Sequence, residues 1–481
     1  MRNLTLLTDF YEITMAYGFY KENKHEEEVV FDLFFRRNKL ITYSIAAGLQ
    51  QAIEYLLNWH LDEEDVEYLR SQNMFSEDFL KYLKNMRFTG DVYAVKEGTP
   101  VFPGEPILTI KAPLIQAQFA ETALLNIINH QTLIASKAAK ICRSAGSGIV
   151  MEFGLRRAQG PDAGVYGARA AVIGGCASTS NVISGQAYGI PVAGTMAHSW
   201  IMDFSDEYEA FKAYAEVYPE NCLLLVDTYD TLRSGVPNAI RVFKELREKG
   251  FEPKGIRLDS GDLAYLSKQA RKMLDEAGFQ NAKICASGDL DEHSITSLLR
   301  QGAKIDLWGV GTKLITSEEM PALGGVYKLS AVAQKDGSYL PKIKLSDNTE
   351  KITNPSFKKV YRLFDKANNM AIADLITLHD EVIDESAPLT IFHPIETWKK
   401  LTVENFKVEP LLQTIVDGGR LVYEFPSVIE SREYCKAELS RFWEEYLRLD
   451  MPHIYKVDLS HKLYQLKTEM IAELRGTNAK K

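Results

Sequence analysis

The chain has 481 residues, of which 46% are hydrophobic and 25% charged, and its formal net charge at pH 7 is −9. This length predicts two or three domains, and the composition is typical of a globular protein. The acidic balance argues against nucleic acid or an anionic membrane as the main partner. The five cysteines lack metal-ligand spacing, the N-terminus has no signal pattern, and no run approaches the ~18 apolar residues of a membrane span. We therefore expect a soluble cytoplasmic protein.

The first third of the chain predicts helices and the beginning of a small β-domain. A helix is expected from Thr8 to Asn23, and its aromatic residues, Tyr11 among them, are expected mainly in the core. An aromatic side chain at the start of this helix has an alternative, which is to reach into a neighbouring site. The further elements follow in order: a strand over 29–37, helices over 46–59, 63–72 and 76–86, short strands over 91–113, and a long helical stretch over 114–144.

From residue 148 onward, short apolar runs alternate with helical segments. The strand candidates cover 149–153, 174–177, 190–193, 222–230, 255–262, 282–291 and 305–314. Each run ends in polar or glycine-rich residues. This alternation predicts an α/β fold, specifically an incomplete TIM-like (β/α) barrel with its site at the carboxyl ends of the strands. An open doubly wound sheet is the alternative.

After Pro321 the pattern changes to amphipathic strands separated by polar turns, over 326–334, 340–347, 358–365 and 370–378. These strands are expected to complete the β-domain begun at residue 91, so that the barrel is an insertion between its halves. A helix over 431–449 and a C-terminal helical segment follow. The predicted division is 1–147 for the N-terminal helices and first half of the β-domain, 148–320 for the barrel, and 321–481 for the rest.

Two strand-to-helix turns are candidates for phosphate binding. The segments ASGD, with Ser287 and Gly288, and GVGT, with Gly311 and Thr312, combine glycine, hydroxyl groups and backbone N–H groups at the start of a helix. An ordinary tight turn is the alternative for each segment alone. Neither segment is a dinucleotide-binding or P-loop motif, so those two interpretations are excluded.

Acidic residues recur at the predicted strand ends, namely Asp227, Asp259, Asp262 and Asp289. Carboxylates that face phosphates act through Mg²⁺ or bind ribose hydroxyls. Capping of the following helix is the alternative, and it is strongest for Asp262 and Asp289.

Three further residues suit a site at these strand ends. His198 follows the candidate strand over 190–193, where a neutral imidazole can accept a phosphoryl group or act as acid and base. Arg257 lies in an otherwise apolar strand, where its planar guanidinium can bind a carboxylate or phosphate; a salt bridge to Asp227 or Asp259 is the alternative. Phe153 is either a core residue or a platform for a flat ring.

Several of these stretches together resemble one known family. The segments TDFYEITMAY, EFGLRRAQGPDAGVYGARAA, GTMAHSW, VDTYDT, RLDSGDL, ASGDLDE, GVGT and KVDLSHKLYQLK, in this order over the whole chain, are similar to those of nicotinate phosphoribosyltransferases. The resemblance implies a dimeric type II phosphoribosyltransferase with an α/β barrel beside a β-sandwich domain. It also implies the reaction of nicotinate with 5-phosphoribosyl 1-diphosphate to nicotinate mononucleotide and diphosphate, in NAD salvage, with ATP hydrolysis and Mg²⁺.

The resemblance assigns the pyridine site and its histidine as follows. Tyr11 would stack on the pyridine ring from the partner subunit, and Phe153 would lie on the other face. Arg257, assisted by Thr195, would hold the nicotinate carboxylate. His198 would be the residue that ATP phosphorylates.

The remaining roles concern the phosphoribosyl group. Arg156 would contact phosphate or diphosphate. The 5-phosphate would be held by Gly288 and Thr312, with Ser287 and Gly311. Ribose hydroxyls or Mg²⁺ would be bound by Asp259, with Asp227. Ser178 stands where the related nicotinamide enzyme has an aspartate, and a serine does not repel a carboxylate.

The chain departs from the family pattern at the loop over 38–45 and at Ser356, where a glycine is usual. A nicotinamide or quinolinate phosphoribosyltransferase, and a catalytically silent barrel that acts as a binding protein, are the alternative functions.

Overall fold

The computed structural model describes residues 3–37, 42–396 and 398–478. The chain forms two compact units. The first comprises Met1–Leu133, Ala322–Pro426 and Tyr434–Lys481, and the second comprises Ile134–Pro321 and Ser427–Glu433. The atypical loop predicted at 38–45 lies outside the described residues at positions 38–41.

The described part of the N-terminal stretch contains five strands and six helices. Its strands are β1 Glu28–Phe35, β2 Ser44–Ile45, β3 Asp91–Ala94, β4 Pro100–Val101 and β5 Leu108–Pro113. Its helices are α1 Phe10–Lys21, α2 Leu49–Leu57, α3 Glu63–Ser71, α4 Glu77–Asn85, α5 Leu114–Phe119 and α6 Glu121–Ser144. The helices predicted over 46–86 are confirmed within a few residues. Helix α3 begins where its sequence predicts, because Asp62 and Asp65 form a capping box.

The central stretch alternates strands and helices. Its strands are β6 Ile149–Glu152, β7 Ser178–Thr179, β8 Leu223–Leu225, β9 Gly255–Leu258, β10 Lys283–Ser287 and β11 Leu307–Val310. Its helices are α7 Pro161–Ile173, α8 Val182–Tyr188, α9 His198–Met202, α10 Glu207–Val217, α11 Val236–Glu248, α12 Leu263–Glu276, α13 Glu292–Arg300 and α14 Thr312–Ile315.

The C-terminal stretch is mainly β-structure. Its strands are β12 Gly325–Ala333, β13 Tyr339–Pro341, β14 Lys358–Asp365, β15 Ala371–Leu378, β16 Leu389–Phe392, β17 Lys400–Val403, β18 Phe406–Pro410, β19 Gln413–Asp417, β20 Arg420–Leu421 and β21 Val457–Leu459. Its helices are α15 Val428–Leu439, α16 Glu444–Leu447 and α17 His461–Asn478. The single helix predicted over 431–449 is therefore wrong, since two helices with a turn between them occupy this stretch.

The second unit is built on a six-stranded sheet in the order β7-β6-β11-β10-β9-β8. All of its pairs are parallel, so the carboxyl ends of the strands lie along one edge. The first strand, β6, pairs with the last, β11, and every other pair joins strands that follow each other in this unit. The apolar runs are buried in the sheet: Ile256, Leu258 and Ala286 are fully inaccessible to solvent. The prediction of a mixed α/β fold is confirmed.

The strands of the first unit form two larger sheets. The seven-stranded sheet has the order β13-β12-β1-β5-β3-β19-β20, and the six-stranded sheet has the order β17-β16-β21-β15-β14-β18. Strand β1 therefore pairs with β12, about 300 residues later, on one side and with β5 on the other. Of the strands predicted to complete the β-domain, β12 and β13 join the sheet of β1, β3 and β5, whereas β14 and β15 belong to the other sheet.

Two of the predicted parallel strands are wrong. Residues 174–177 form a turn, because α7 continues to Ile173 and the small residue Gly174 lets it pack closely: a Cβ there would lie 2.2 Å from the carbonyl oxygen of Ala135. Residues 190–193 pair with β7 through one isolated bridge, Thr179 to Val192. Pro191 has no backbone N–H to extend that pairing.

Over the described ranges, no helix combines the length and apolar character needed to cross a membrane.

Candidate active site

A polar cluster lies at the carboxyl ends of the parallel strands. Arg257 is the third residue of β9, between two fully buried apolar side chains, and Asp259 follows the last residue of that strand. Ser287 ends β10, which pairs with β9 in parallel register. Because parallel strands present their carboxyl ends along the same edge, residues that are about 30 positions apart in sequence meet here.

The guanidinium of Arg257 is held on three sides. Its Nε donates to Ser287 Oγ at 2.8 Å, its Nη2 to Asp259 Oδ1 at 2.9 Å, and its Nη1 to Thr195 Oγ1 at 3.5 Å. The side chain is 18% exposed. The first two hydrogen bonds are short and fix the plane of the guanidinium, whereas the Nη1 contact is long. The salt bridge to Asp259 that the sequence offered as an alternative is therefore present, and it leaves Nη1 as the most weakly held donor.

Asp259 remains ionised in this environment. Burial desolvates its carboxylate and by itself raises the pKa, but the hydrogen bond from Ser287 and the charge of Arg257 outweigh burial and lower the pKa below its ordinary value. A permanent carboxylate beside an arginine suits contacts with hydroxyl groups or a cation.

His198 and Asp227 form a second pair in the same network. His198 Nε2 lies 3.3 Å from Asp227 Oδ1, and Asp227 Oδ2 accepts hydrogen bonds from the Asp259 backbone N–H at 2.9 Å and the Ser260 hydroxyl at 2.7 Å. The Asp227 side chain is 2% exposed and that of His198 is 39% exposed. A buried, well-held carboxylate thus orients an accessible imidazole, and Asp227 links it to the turn that follows β9.

Phe153 follows β6 and is half-buried beside Arg257. Its backbone N–H donates to the Val310 carbonyl at 2.8 Å, and the guanidinium carbon of Arg257 lies 5.8 Å from the centre of its ring. A Cβ on Gly309 would lie 2.6 Å from the ring, so only glycine at this position of β11 leaves room for it. One strand end therefore brings a flat ring and another a cation to the same place.

The two predicted phosphate turns are present at adjacent strand ends. Gly288 follows β10 with φ +95°, and a Cβ there would lie 2.4 Å from the carbonyl oxygen of Asp259, so a side chain is excluded at this position. Gly311 precedes α14 and Thr312 is its first residue. Since β10 and β11 are neighbours, the two turns lie side by side.

Among the described residues, three that the sequence assigned to the site have positions outside this hydrogen-bonded network. Arg156 lies in the 3-10 helix Leu155–Arg157 and is exposed. Ser178 is buried in β7, paired with Met151 of β6. Tyr11 belongs to the first unit, where it lies in α1 and is 47% exposed.

Helix capping was the alternative interpretation for Asp262 and Asp289, and it holds for only one of them. Asp262 caps α12 by accepting from the Tyr265 backbone N–H, so the capping interpretation is correct for it. For Asp289 the capping interpretation is wrong: α13 is capped by Asp291, in a capping box with Ser294.

Sequence reasoning missed Ser260 and Gly309 as members of the site. Ser260 directly follows Asp259 in RLDSGDL, and Gly309 begins GVGT, so both lie in segments that were singled out. Only the fold shows that the Ser260 hydroxyl holds Asp227 and that Gly309 makes room for Phe153.

An arginine, a histidine, carboxylates and glycine turns along the carboxyl edge of a parallel sheet define an α/β enzyme with a site for anionic groups. Models of the nicotinate phosphoribosyltransferase family match the chain: the N-terminal domain at residues 6–129, the family's central model at 149–365 and the C-terminal domain at 357–467.

Individual relatives agree with these models. The nicotinate phosphoribosyltransferase of Bacillus subtilis (strain 168) is 50% identical over 98% of this chain and 96% of its own length. That of Dictyostelium discoideum is 38% identical over 95% of this chain and 87% of its own length. The crystal structure of human nicotinic acid phosphoribosyltransferase matches with a TM-score of 0.85 and 31% identity, over 97% of this chain and 100% of that one. The chain belongs to the nicotinate phosphoribosyltransferase family, and the resemblance inferred from its sequence is confirmed.

Proposed function

We propose that the chain joins nicotinate to 5-phosphoribosyl 1-diphosphate, releasing nicotinate mononucleotide and diphosphate, with ATP hydrolysis coupled to turnover. The reaction is a step of NAD biosynthesis. The observation that carries the proposal is the single hydrogen-bonded network of Arg257, Asp259, Asp227 and His198 at one sheet edge, in a chain of this family.

Nicotinate would bind between Arg257 and Phe153. The Nη1 group of Arg257 and the hydroxyl of Thr195, 3.5 Å apart, are two donors for its carboxylate, and the Phe153 ring is a surface for the pyridine. Tyr11, exposed on α1, would cover the other face of the pyridine in a homodimer. Ser178 places no negative charge near a carboxylate, which favours nicotinate over nicotinamide.

5-Phosphoribosyl 1-diphosphate would lie along the neighbouring strand ends. The turns at Gly288 and Thr312, with Ser287 and Gly311, would hold the 5-phosphate through backbone N–H groups. Asp259 would accept hydrogen bonds from the ribose hydroxyls, and the exposed Arg156 would contact the diphosphate. As the pyridine nitrogen attacks C1 and the bond to diphosphate breaks, positive charge grows on the ribose and negative charge on the leaving group, and these fixed charges stabilise both.

His198 would carry the phosphoryl group from ATP. Its Nε2 faces Asp227, so Nδ1 is the nitrogen whose lone pair attacks the γ-phosphorus. The new N–P bond forms as the bond to the ADP oxygen breaks, and water later hydrolyses the phosphohistidine. The added charge would order the turns that grip the diphosphate, which couples ATP cleavage to affinity.

Mg²⁺ fits one of its two predicted ligands better than the other. Both oxygens of Asp227 face protein groups and its side chain is 2% exposed, whereas the Asp259 side chain is 32% exposed. Asp259 would therefore hold the ion, which neutralises diphosphate charge when it is bound.

The fold extends this proposal. We infer that the parallel sheet is an incomplete (β/α) barrel, since β6 pairs with β11 and β8 is an edge strand. Residues 148–320 would form this active-site domain, and 1–147 with 321–481 a β-sandwich-type domain with C-terminal helices. None of the five cysteines, all of which lie in the described ranges, forms a disulfide, which favours a cytoplasmic location.

Product analysis tests the function. The purified protein is incubated with 5-phosphoribosyl 1-diphosphate, Mg²⁺ and either nicotinate, nicotinamide or quinolinate, with and without ATP. We expect nicotinate mononucleotide, formed faster with ATP. A preference for nicotinamide or quinolinate would replace the substrate assignment, and no nucleotide from any pyridine would favour a binding protein without catalysis.

Two variants test the proposed histidine and the dimer. His198→Ala is expected to lose ATP stimulation and the acid-labile phosphoryl group, and full ATP-stimulated turnover would exclude the phosphohistidine.

Tyr11→Ala is expected to raise the KM for nicotinate, and an unchanged KM would count against a pyridine site shared between subunits.

A further inference from the structure

The carboxyl group of Glu152 is buried behind the proposed pyridine site. Glu152 is the last residue of β6 and is inaccessible to solvent. Its Oε1 accepts a hydrogen bond from the Gly154 backbone N–H, and its Oε2 accepts one from the Thr179 hydroxyl at 2.5 Å. A buried carboxyl group at a strand end is costly unless such donors compensate it, so its position calls for an explanation beyond packing.

These two hydrogen bonds join the ends of two strands. Gly154 begins the turn after β6, between Phe153 and the 3-10 helix that contains Arg156, and Thr179 is the residue after Ser178 in β7. The backbone adds a third link, from the Ser180 N–H to the Glu152 carbonyl at 2.9 Å. The position of the turn relative to β7 is thus fixed from both the main chain and the side chain of one residue.

The network extends to the helices behind the sheet. The Thr179 hydroxyl also accepts from the Asn181 N–H at 3.0 Å, and the Asn181 amide donates to the Gly164 carbonyl in α7 at 3.1 Å. Asn181 also caps α8. Glu152 therefore connects this turn to a buried and well-supported part of the unit.

Burial and hydrogen bonding act in opposite directions on this group. Burial raises the pKa of Glu152, and the hydrogen bonds from Thr179 and Gly154 oppose the rise without cancelling it. The hydrogen-bond geometry is what restrains the turn, because the oxygens accept from both donors in either charge state.

We propose that Glu152 is a positioning residue of the active site, which holds Phe153 and Arg156 in register with Ser178. It touches no substrate. This inference rests on the proposed function, because that function gives Phe153 and Arg156 their roles toward pyridine and diphosphate.

The test compares steady-state kinetics of Glu152→Ala, Glu152→Gln and Thr179→Val. Loss of both hydrogen bonds in Glu152→Ala is expected to raise the KM values for nicotinate and for 5-phosphoribosyl 1-diphosphate by about tenfold or more. Thr179→Val, which removes one hydroxyl, is expected to raise them by about threefold to tenfold. Glu152→Gln is expected to recover part of the loss, because its amide oxygen still accepts from Gly154.

Glu207→Ala is the matched control for Glu152→Ala. Glu207 is also a buried acid of the same unit, and one of its oxygens accepts from Ser234 and Asn238. This variant is expected to shift the urea midpoint while leaving both KM values within about twofold. A purely structural role for Glu152 would give the same pattern in Glu152→Ala.

Two results would overturn the inference. One is a folded Glu152→Ala protein with unchanged KM values. The other, which decides the case if Glu152→Ala does not fold, is a Thr179→Val protein with unchanged KM values. Phe153→Ala separates this failure from that of the proposed site: if its KM for nicotinate is also unchanged, the pyridine site itself is assigned wrongly.

Discussion

Two arginine–aspartate pairs in this molecule have the same chemistry and different surroundings. In the first unit, Arg362 Nε and Nη2 donate to Asp374 Oδ1 and Oδ2 at 2.8 and 2.7 Å, and both side chains are 0% exposed. In the second unit, Arg257 donates to Asp259 at 2.9 Å, with side chains that are 18% and 32% exposed. A hydroxyl supports each pair: Tyr455 donates to Asp374 at 3.0 Å, and Ser287 lies between Arg257 and Asp259.

The difference between the pairs lies in what remains accessible. Arg362 holds its aspartate with two parallel hydrogen bonds and also donates to the Pro100 carbonyl at 2.7 Å, so the pair ties parts of one unit together. Arg257 meets its aspartate through one nitrogen and keeps Nη1 toward Thr195 at the edge of the sheet. The sealed pair stabilises the fold, whereas the partly exposed pair suits the nicotinate site that we propose.

Removing the sealed arginine is expected to have the largest effect. Arg362→Met leaves the Asp374 carboxylate buried without its cation, and we expect the free energy of unfolding to fall by about 3–5 kcal/mol. Urea denaturation followed by fluorescence measures this loss. Arg362→Met combined with Asp374→Leu should recover much of it, and a single variant that unfolds at the wild-type midpoint would contradict the assigned role.

Removing the open arginine is expected to affect catalysis instead. Arg257→Met should lower kcat/KM for nicotinate by about 10²–10³-fold, because the donor to the carboxylate is lost, while the urea midpoint changes little. Lys272→Met is the control, since Lys272 forms an exposed ion pair with Glu276 in the same unit and its loss should change neither quantity measurably. A large stability loss in Arg257→Met with normal kinetics would erase the contrast between the pairs.

The pH dependence of stability should also differ between the two regions. Burial, and then the neighbouring Asp374, raise the pKa of Glu105 well above its ordinary value. The unfolded chain therefore loses this proton at a lower pH than the folded protein, and the stability contributed at low pH is lost as pH rises toward the folded pKa. Glu105→Gln should remove this dependence, so that its stability relative to wild type grows by up to about 1.4 kcal/mol per pH unit above pH 5.

The pKa of Asp259 is shifted in the opposite direction, so its contribution to stability has the opposite dependence on pH. Its folded pKa is lowered, so its contribution is complete above the ordinary pKa of about 3.8 and is lost only as pH falls through the folded value. Asp259→Asn should therefore leave the pH dependence of the urea midpoint unchanged between pH 5 and 9. Plots of stability against pH should diverge for Glu105→Gln and wild type and should run parallel for Asp259→Asn and wild type. The opposite result for either variant would show that the surroundings of that acid are assigned wrongly.

Removing the supporting hydroxyls is expected to have the smallest effects. Tyr455→Phe should lower the free energy of unfolding by about 1 kcal/mol, the net value of one buried hydrogen bond, with unchanged kinetics. Ser287→Ala should raise the KM for nicotinate by about threefold to tenfold, because Arg257 loses the acceptor for its Nε. Denaturation and steady-state kinetics on both variants test whether Tyr455→Phe changes stability and whether Ser287→Ala changes the KM for nicotinate, as expected.

Much of the second unit could be predicted from local sequence. The strands at Gly255, Lys283 and Leu307 are short apolar runs with buried residues on both faces, and such runs can be recognised without the fold. Helix α13 begins at a capping box formed by Asp291 and Ser294, which are residue types that favour a helix start in any sequence. The strand ends also gave the site residues Arg257, Asp259 and His198.

The predictions that failed concern features that depend on contacts between residues far apart in sequence. The run at 174–177 is apolar because Gly174 packs on Ala135, and an apolar run of small residues does not reveal whether it is a strand or a close contact. The two larger sheets of the first unit combine strands that are far apart in sequence, so the amphipathic pattern predicts the strands but not their partners. The hydrogen bonds of Ser260 and Glu152 appear only once the strand ends are brought together.

The position of β1 has a consequence for synthesis. Glu28–Phe35 leaves the ribosome early, yet its partner Gly325–Ala333 is made almost 300 residues later. Until then one edge of β1 is unpaired, while most of the second unit, Ile134–Pro321, has already been translated and can fold. Nascent chains that stall before residue 333 should therefore expose an apolar strand edge, making them natural clients for chaperones, whereas the completed protein hides that edge.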